Sequence, residues 1–297
     1  MRRGLIYALM LVTLILGSTV QAASKDEAPL IDVINDGISH SESVYPYEGG
    51  LLISNFGSET IEPRDDENKG YILYYRDGQM SMLIPPEGRL HKPTAMLIKD
   101  GFLYVCDSDK LKIFAMDDLK AEPRVINFPT DDKVVNDLAI SENKLYITVT
   151  NTGRIYTLDI SNPQNIGDPT LWLDKVPGPN GIAIYNNTAY VVSIPVDYET
   201  MTPNNVIYRV KNINNPTAER FVSVPGLYDG AAISEDGKYL YVTDWKTGTV
   251  TRISLSNKRT KIIYHEDGIG PASLAIFNDK LYVPDLVNSR ILVLPTR

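Results

Sequence analysis

Short runs of β-branched, aliphatic and aromatic residues recur along the chain, each bounded by Gly, Pro, Asn or Asp. That pattern predicts strands, and no segment between them carries a helical period. The most regular run is Leu-Tyr-Val or a close variant: Leu51-Leu52-Ile53, Leu103-Tyr104-Val105, Leu145-Tyr146-Ile147, Ala189-Tyr190-Val191, Leu240-Tyr241-Val242 and Leu281-Tyr282-Val283. Successive spacings are 52, 42, 44, 51 and 41 residues. A first strand precedes each run, as in Ala95-Met96-Leu97-Ile98 and Leu138-Ala139-Ile140, with turn residues such as Lys99-Asp100-Gly101 between. A third strand follows, from Tyr71 to Tyr74 through to Ile291 to Leu294. Fourth strands stand at Val125 to Phe128, Leu171 to Leu173 and Ile262 to Tyr264. Four strands per repeat of this length is the period of an all-β, six-bladed β-propeller with four antiparallel strands per blade.

The two ends of the repeat support a ring. The sixth repeat stops after its third strand, while an additional strand, Leu30 to Ile34, precedes the first repeat. This N-terminal strand is expected to complete the last blade and close the ring, leaving no unpaired edge there. A two-sheet sandwich would use similar strands but explains neither the even spacing nor the permuted last repeat.

Residues 1–22 read differently. Arg2 and Arg3 precede an apolar run from Leu5 to Leu16, and Ser18 to Ala22 ends in the small-residue pattern a signal peptidase accepts. The expectation is a signal peptide over 1–22, a propeller domain over 23–297, and a secreted or periplasmic location with no membrane attachment after cleavage. Cys106 is the single cysteine, so an exported chain of this kind has no intramolecular disulfide. The formal net charge of −8 argues against nucleic acid as a partner, because phosphate binding needs an excess of Lys and Arg. A monomer is the default expectation.

Candidate chemistry comes from one register of the repeat. The residue just before each first strand faces the propeller axis at one end. Reading it blade by blade gives Glu42, Thr94, Asn136, Asn180, Asp229 and Ala272. Singly, an Asn or Asp at such a place is a turn former. Jointly, two carboxylates and two amide oxygens converging on one point make a hard, all-oxygen site that suits Ca²⁺, and other divalent cations fit the same set. Zinc or a redox metal would want His or Cys, and none stands in this register.

The motifs Glu42-Ser43-Val44, Val135-Asn136-Asp137, Pro179-Asn180-Gly181-Ile182-Ala183 and Asp229-Gly230 resemble the metal-site motifs of a superfamily of six-bladed propellers. It includes the senescence-marker-protein/gluconolactonase (regucalcin-like) proteins, the paraoxonases and diisopropylfluorophosphatase. The resemblance implies a calcium ion on Glu42, Asn136, Asn180 and Asp229, with hydrolysis of a lactone or related ester at that ion. Asp229 is the expected catalytic residue, activating water, and Thr94 and His91 are expected to contact substrate. The sugar-lactonase branch has an arginine where this chain has Val134, which weighs against a polyhydroxy sugar lactone. The paraoxonase branch has a histidine where this chain has Thr94. A non-catalytic propeller that binds a ligand or protein around a structural calcium is the alternative. Two long connections, Gly57 to Lys69 and Ser193 to Asn205, belong on the same face as the axial register and are expected to overhang it. The second carries Ile194, Pro195, Val196, Tyr198 and Met201, an apolar set suited to an aliphatic or aromatic ligand.

Overall fold

The computed structural model describes residues 29–62 and 67–296. The signal peptide expected over 1–22 lies outside them. Among the described residues every regular element is a β-strand, and the strands form six sheets of four. Blade one runs Val44–Tyr47, Gly50–Asn55, Tyr71–Arg76 and Gln79–Ile84, in that spatial order. Blades two to five repeat the arrangement over 93–127, 135–173, 179–222 and 228–265. All neighbouring strands within a blade are antiparallel, as consecutive hairpins require.

Blade six contains Ala275–Phe277, Lys280–Asp285 and Arg290–Pro295, and its fourth strand is Asp32–Ile34 from the other end of the chain. The pairing is in register at Asp32 with Val293, Val33 with Leu292 and Ile34 with Ile291. The Ile31 amide extends it by donating to the Val293 carbonyl at 2.8 Å. Ring closure thus takes the form the repeat pattern predicts, with the strand two residues shorter than the apolar run.

The core lies between blades. Ala139 and Tyr146 of blade three pack with Ile182, Val191 and Tyr208 of blade four. Ile34, Val44, Ile53, Tyr282 and Ile291 join blades six and one. Each sheet therefore buries both faces, and the second strands, such as Leu51-Leu52-Ile53, are buried continuously after their first residue rather than alternately. Burying one such side chain contributes about 1.5–3 kcal/mol, so the repeat itself carries the stability. Cys106 belongs to the core cluster of blades two and three, and burial pushes its thiol well up, away from reactivity.

Buried carboxylates at the ends of the second strands tie the blades' entry loops to their hairpins. Asp107 accepts from the His91 amide at 2.9 Å and pairs with Lys112 at 2.7 Å, both partners buried. Asp285 accepts from the Gly270 amide at 3.0 Å and from Arg290 at 2.8 Å. Asp244 accepts from the Lys246 and Thr247 amides in its own turn.

Candidate functional site

The first strands are irregular at one place. In blades two to five their register against the second strand slips at Pro93/Ala95, Val135/Leu138, Pro179/Ile182 and Tyr228/Ala231. These slips bracket Thr94, Asn136, Asn180 and Asp229. A bulge inserts extra backbone and re-aims a side chain, so the same distortion repeated around a ring turns one residue per blade toward the axis.

Bulged backbone leaves N–H groups without a ladder partner, and buried N–H groups must be satisfied. A hydroxyl on the second strand does this. Thr148 Oγ1 accepts from the Asp137 amide at 2.9 Å and Thr243 Oγ1 from the Gly230 amide at 2.7 Å; in blade one, whose first strand has no slip, Ser54 Oγ accepts from the Ser43 amide at 2.9 Å. The same hydroxyls then donate to the next blade: Thr148 to the Asn180 carbonyl at 2.7 Å and Thr243 to the Ala272 carbonyl at 2.6 Å. Thr94 Oγ1 likewise donates to the Asn136 carbonyl at 2.7 Å. Blade six reaches blade one through the Ser273 amide, which donates to the Glu42 carbonyl at 3.2 Å. Glu42, Thr94, Asn136, Asn180 and Ala272 are therefore each tied to a neighbouring blade.

Close approach explains the two glycines of the motifs. A Cβ on Gly181 would lie 2.5 Å from the Asp229 carbonyl oxygen, and one on Gly230 would lie 2.8 Å from that of Ala272. Neither contact has a flexible side chain that can retreat.

Glu42, Thr94, Asn136, Asn180 and Asp229 line a single cavity of about 390 Å³. All five are buried. Glu42 Oε2 and Asp229 Oδ1 are buried without a hydrogen-bond partner. Burial pushes the Glu42 carboxyl well above the usual carboxylate range, and the charges of Asp229 and Asp137 push it further. Burial, then the Asp137 charge, raises Asp229 to about 7. Asp137 is itself raised to about 7 by burial, although its oxygens accept from the Ile182 amide at 2.7 Å and the Leu138 amide at 2.8 Å. Asp137 thus serves backbone, while Glu42 and Asp229 present unsatisfied oxygens to the cavity. Among the described residues no three His, Cys, Asp or Glu side chains stand together in metal-binding geometry. An oxygen site here must use the amides of Asn136 and Asn180 with the two carboxylates.

Apart from Ile194, the walls were not legible as a site in the sequence, yet they too occupy one register. The first residue after each second strand donates its amide to the carbonyl two residues before the axial position. The pairs are Phe56 to His40, Ser108 to Lys92, Thr150 to Val134, Ile194 to Gly178, Trp245 to Leu227 and Leu286 to Gly270. Of these, Phe56, Ile194, Trp245 and Leu286 line the cavity. Phe56 and Leu286 pack with Ala272, so the blade that lacks a polar axial residue supplies an apolar wall instead. Both long connections reach the cavity, the first through Ile61 and Glu62, the second through Asp197, Tyr198 and Glu199.

His91 is not among the lining residues. Its backbone amide is engaged by Asp107, in the loop entering blade two. His40 is held by a 2.8 Å contact between Nδ1 and the Leu286 carbonyl, and it does not line the cavity either. Thr94 does line it, and its hydroxyl donates to the Asn136 carbonyl, a contact that positions the neighbouring axial residue.

No family model matches this chain, and no curated protein does. Its fold is similar to that of virginiamycin B lyase from Staphylococcus aureus, with a TM-score of 0.59 and 14% identity, covering 89% of this chain and 98% of that one. A chain of the nidogen/laminin complex matches with a TM-score of 0.57 and 13% identity over 82% and 85% of the respective lengths. A protein of unknown function from Bacteroides thetaiotaomicron matches with a TM-score of 0.60 and 11% identity over 91% of this chain and 72% of that chain. At such identities the likeness shows the fold alone: the chain is a six-bladed β-propeller.

Proposed function

We propose that the protein is a secreted, calcium-dependent hydrolase of lactones or related esters, working at an ion held on the propeller axis by Glu42, Asn136, Asn180 and Asp229. The observation that carries this reading is the pair of partnerless buried oxygens, Glu42 Oε2 and Asp229 Oδ1, in one cavity with two amide side chains. Two like-charged carboxylates removed from water oppose folding unless a cation compensates them. The donor set, two carboxylates and two amides with space beside them, fits a hard cation that keeps open positions. The motif resemblance to the gluconolactonase, paraoxonase and diisopropylfluorophosphatase superfamily points the same way.

A bound divalent cation supplies polarisation of the substrate carbonyl and stabilises the charge that develops on its oxygen. The chain's own groups do the rest. Asp229 would take a proton from water through the carboxylate oxygen that does not hold the cation. Asn136 and Asn180 orient donors that the Thr94 and Thr148 hydroxyls hold from behind. Phe56, Trp245, Leu286 and Ile194 bind the body of the substrate and exclude water from its reacting end.

The test is turnover of aliphatic lactones, aryl esters, phosphotriesters and gluconolactone, with calcium and with a chelator, alongside metal analysis of the purified protein. Chelator-sensitive turnover that is lost in Asp229→Ala is the expected result. Full turnover in that variant, or none on any substrate with calcium bound, overturns the hydrolase reading.

A further inference from the structure

We propose that this cavity takes a ligand with a positively charged group beside an apolar, aromatic-sized body, and that it rejects anionic ligands. The proposal deepens the hydrolase reading by naming a substrate class, and it rests on that reading only in taking the axial cavity as the substrate site.

Five of the lining residues are carboxylates: Glu42, Glu62, Asp197, Glu199 and Asp229. None of the lining residues among those described is Lys, Arg or His. A cation on the axial oxygens would neutralise Glu42 and Asp229, yet Asp197 and Glu199 on the overhanging loop of blade four would remain. The negative potential at the mouth therefore does not depend on whether the metal is bound. Among the described residues, Lys92 is a nearby positive charge to weigh against this. Its ammonium lies 5.4 Å from the centre of the Phe56 ring, but it is fully buried, lies outside the lining and donates to the Thr60 carbonyl at 2.9 Å.

The mouth is also built rather than merely acidic. Asp197 Oδ1 accepts from the Glu199 amide at 3.1 Å and the Thr200 amide at 2.8 Å, which folds the loop so that Asp197, Tyr198 and Glu199 all line the cavity. The Thr200 hydroxyl and these amides hold the Asp197 carboxyl down at about 2, so it is charged throughout the working range. The independent sign that something is bound here is the pair of buried, partnerless oxygens below, Glu42 Oε2 and Asp229 Oδ1. Phe56, Trp245 and Tyr198 line the same cavity. Aromatic rings attract cations through their quadrupole, while carboxylates at the mouth repel anions before they arrive.

The experiment is calorimetric binding of three matched probes to the calcium-loaded protein: 2-phenylethylamine, 2-phenylethanol and 3-phenylpropanoate. The ammonium probe is expected to bind at least about tenfold more tightly than the carboxylate, with the alcohol between, and the gap should narrow at high salt because the mouth is exposed. The double variant Asp197→Asn/Glu199→Gln keeps the oxygen that caps the loop and should remove most of the preference. Equal affinities, a preference for the carboxylate, no saturable binding of any probe, or an unchanged preference in the double variant overturns the proposal. Calcium titration of the same protein reads the axial site separately. Calcium binding without ammonium preference defeats this inference alone, and ammonium preference without calcium binding defeats the metal reading alone.

Discussion

Asp229→Asn should separate what the carboxylate costs the cation-free fold from what it contributes when a cation is bound. In the folded chain the Asp229 carboxyl is raised to about 7 from an ordinary 3.8, first by burial and then by the Asp137 charge. A raised folded value means that ionisation opposes folding: the cost is absent below the unfolded value, grows as pH rises from about 4, and levels off above about 7. That displacement corresponds to about 4 kcal/mol at pH 8, about 2 kcal/mol at pH 5 and under about 1 kcal/mol at pH 4. The neutral amide removes this cost and offers a donor to the partnerless Glu42 Oε2. With chelator at pH 8, the variant should therefore melt several degrees above the parent chain, at about 2–4 °C per kcal/mol for a domain of this size. The advantage should shrink steadily toward pH 4. With calcium the order should change. The parent chain should gain about 2.7 kcal/mol at a hundred times the dissociation constant, and the variant should gain far less. Thermal unfolding followed by calorimetry, with chelator and with calcium at three pH values, reads all of this. A variant less stable than its parent in chelator at pH 8, or a difference that does not vary with pH, refutes the account of Asp229 as an uncompensated buried charge.

Other substitutions test the architecture around it. Gly181→Ala should lose about 1–3 kcal/mol in denaturant unfolding, because the new methyl meets the Asp229 carbonyl of the next blade, and calcium affinity should fall with it. Thr148→Val leaves the Asp137 amide unsatisfied and releases the Asn180 carbonyl, so a loss of about 1–3 kcal/mol is expected; an isoenergetic variant would show that this hydroxyl link is not structural. Asp107→Ala strands the buried Lys112 ammonium and should cost about 3–5 kcal/mol, measured by chemical unfolding, whereas replacing both residues by apolar ones should recover much of it.

The sequence by itself determined the ring. Strand identity is local: alternation, β-branching and turn residues act over five or six positions, and their repetition at even spacing leaves one architecture. The same count placed the strand at Asp32–Ile34 in the last blade and put Glu42, Asn136, Asn180 and Asp229 in one register. Only the tertiary structure decided what surrounds them. In blades two to five the axial side chain is aimed by a bulge, and in blades three and five a hydroxyl on the second strand holds that bulge and donates to a carbonyl of the next blade, more than twenty residues away in sequence. Thr94 stands in the right register, yet its proton goes to the Asn136 carbonyl, a choice no one-blade pattern contains. Phe56, Trp245 and Leu286 read in sequence as ordinary residues after a strand. They became walls because ring closure set the ends of blades one, five and six around a single axis, where no pairwise propensity could have assembled them.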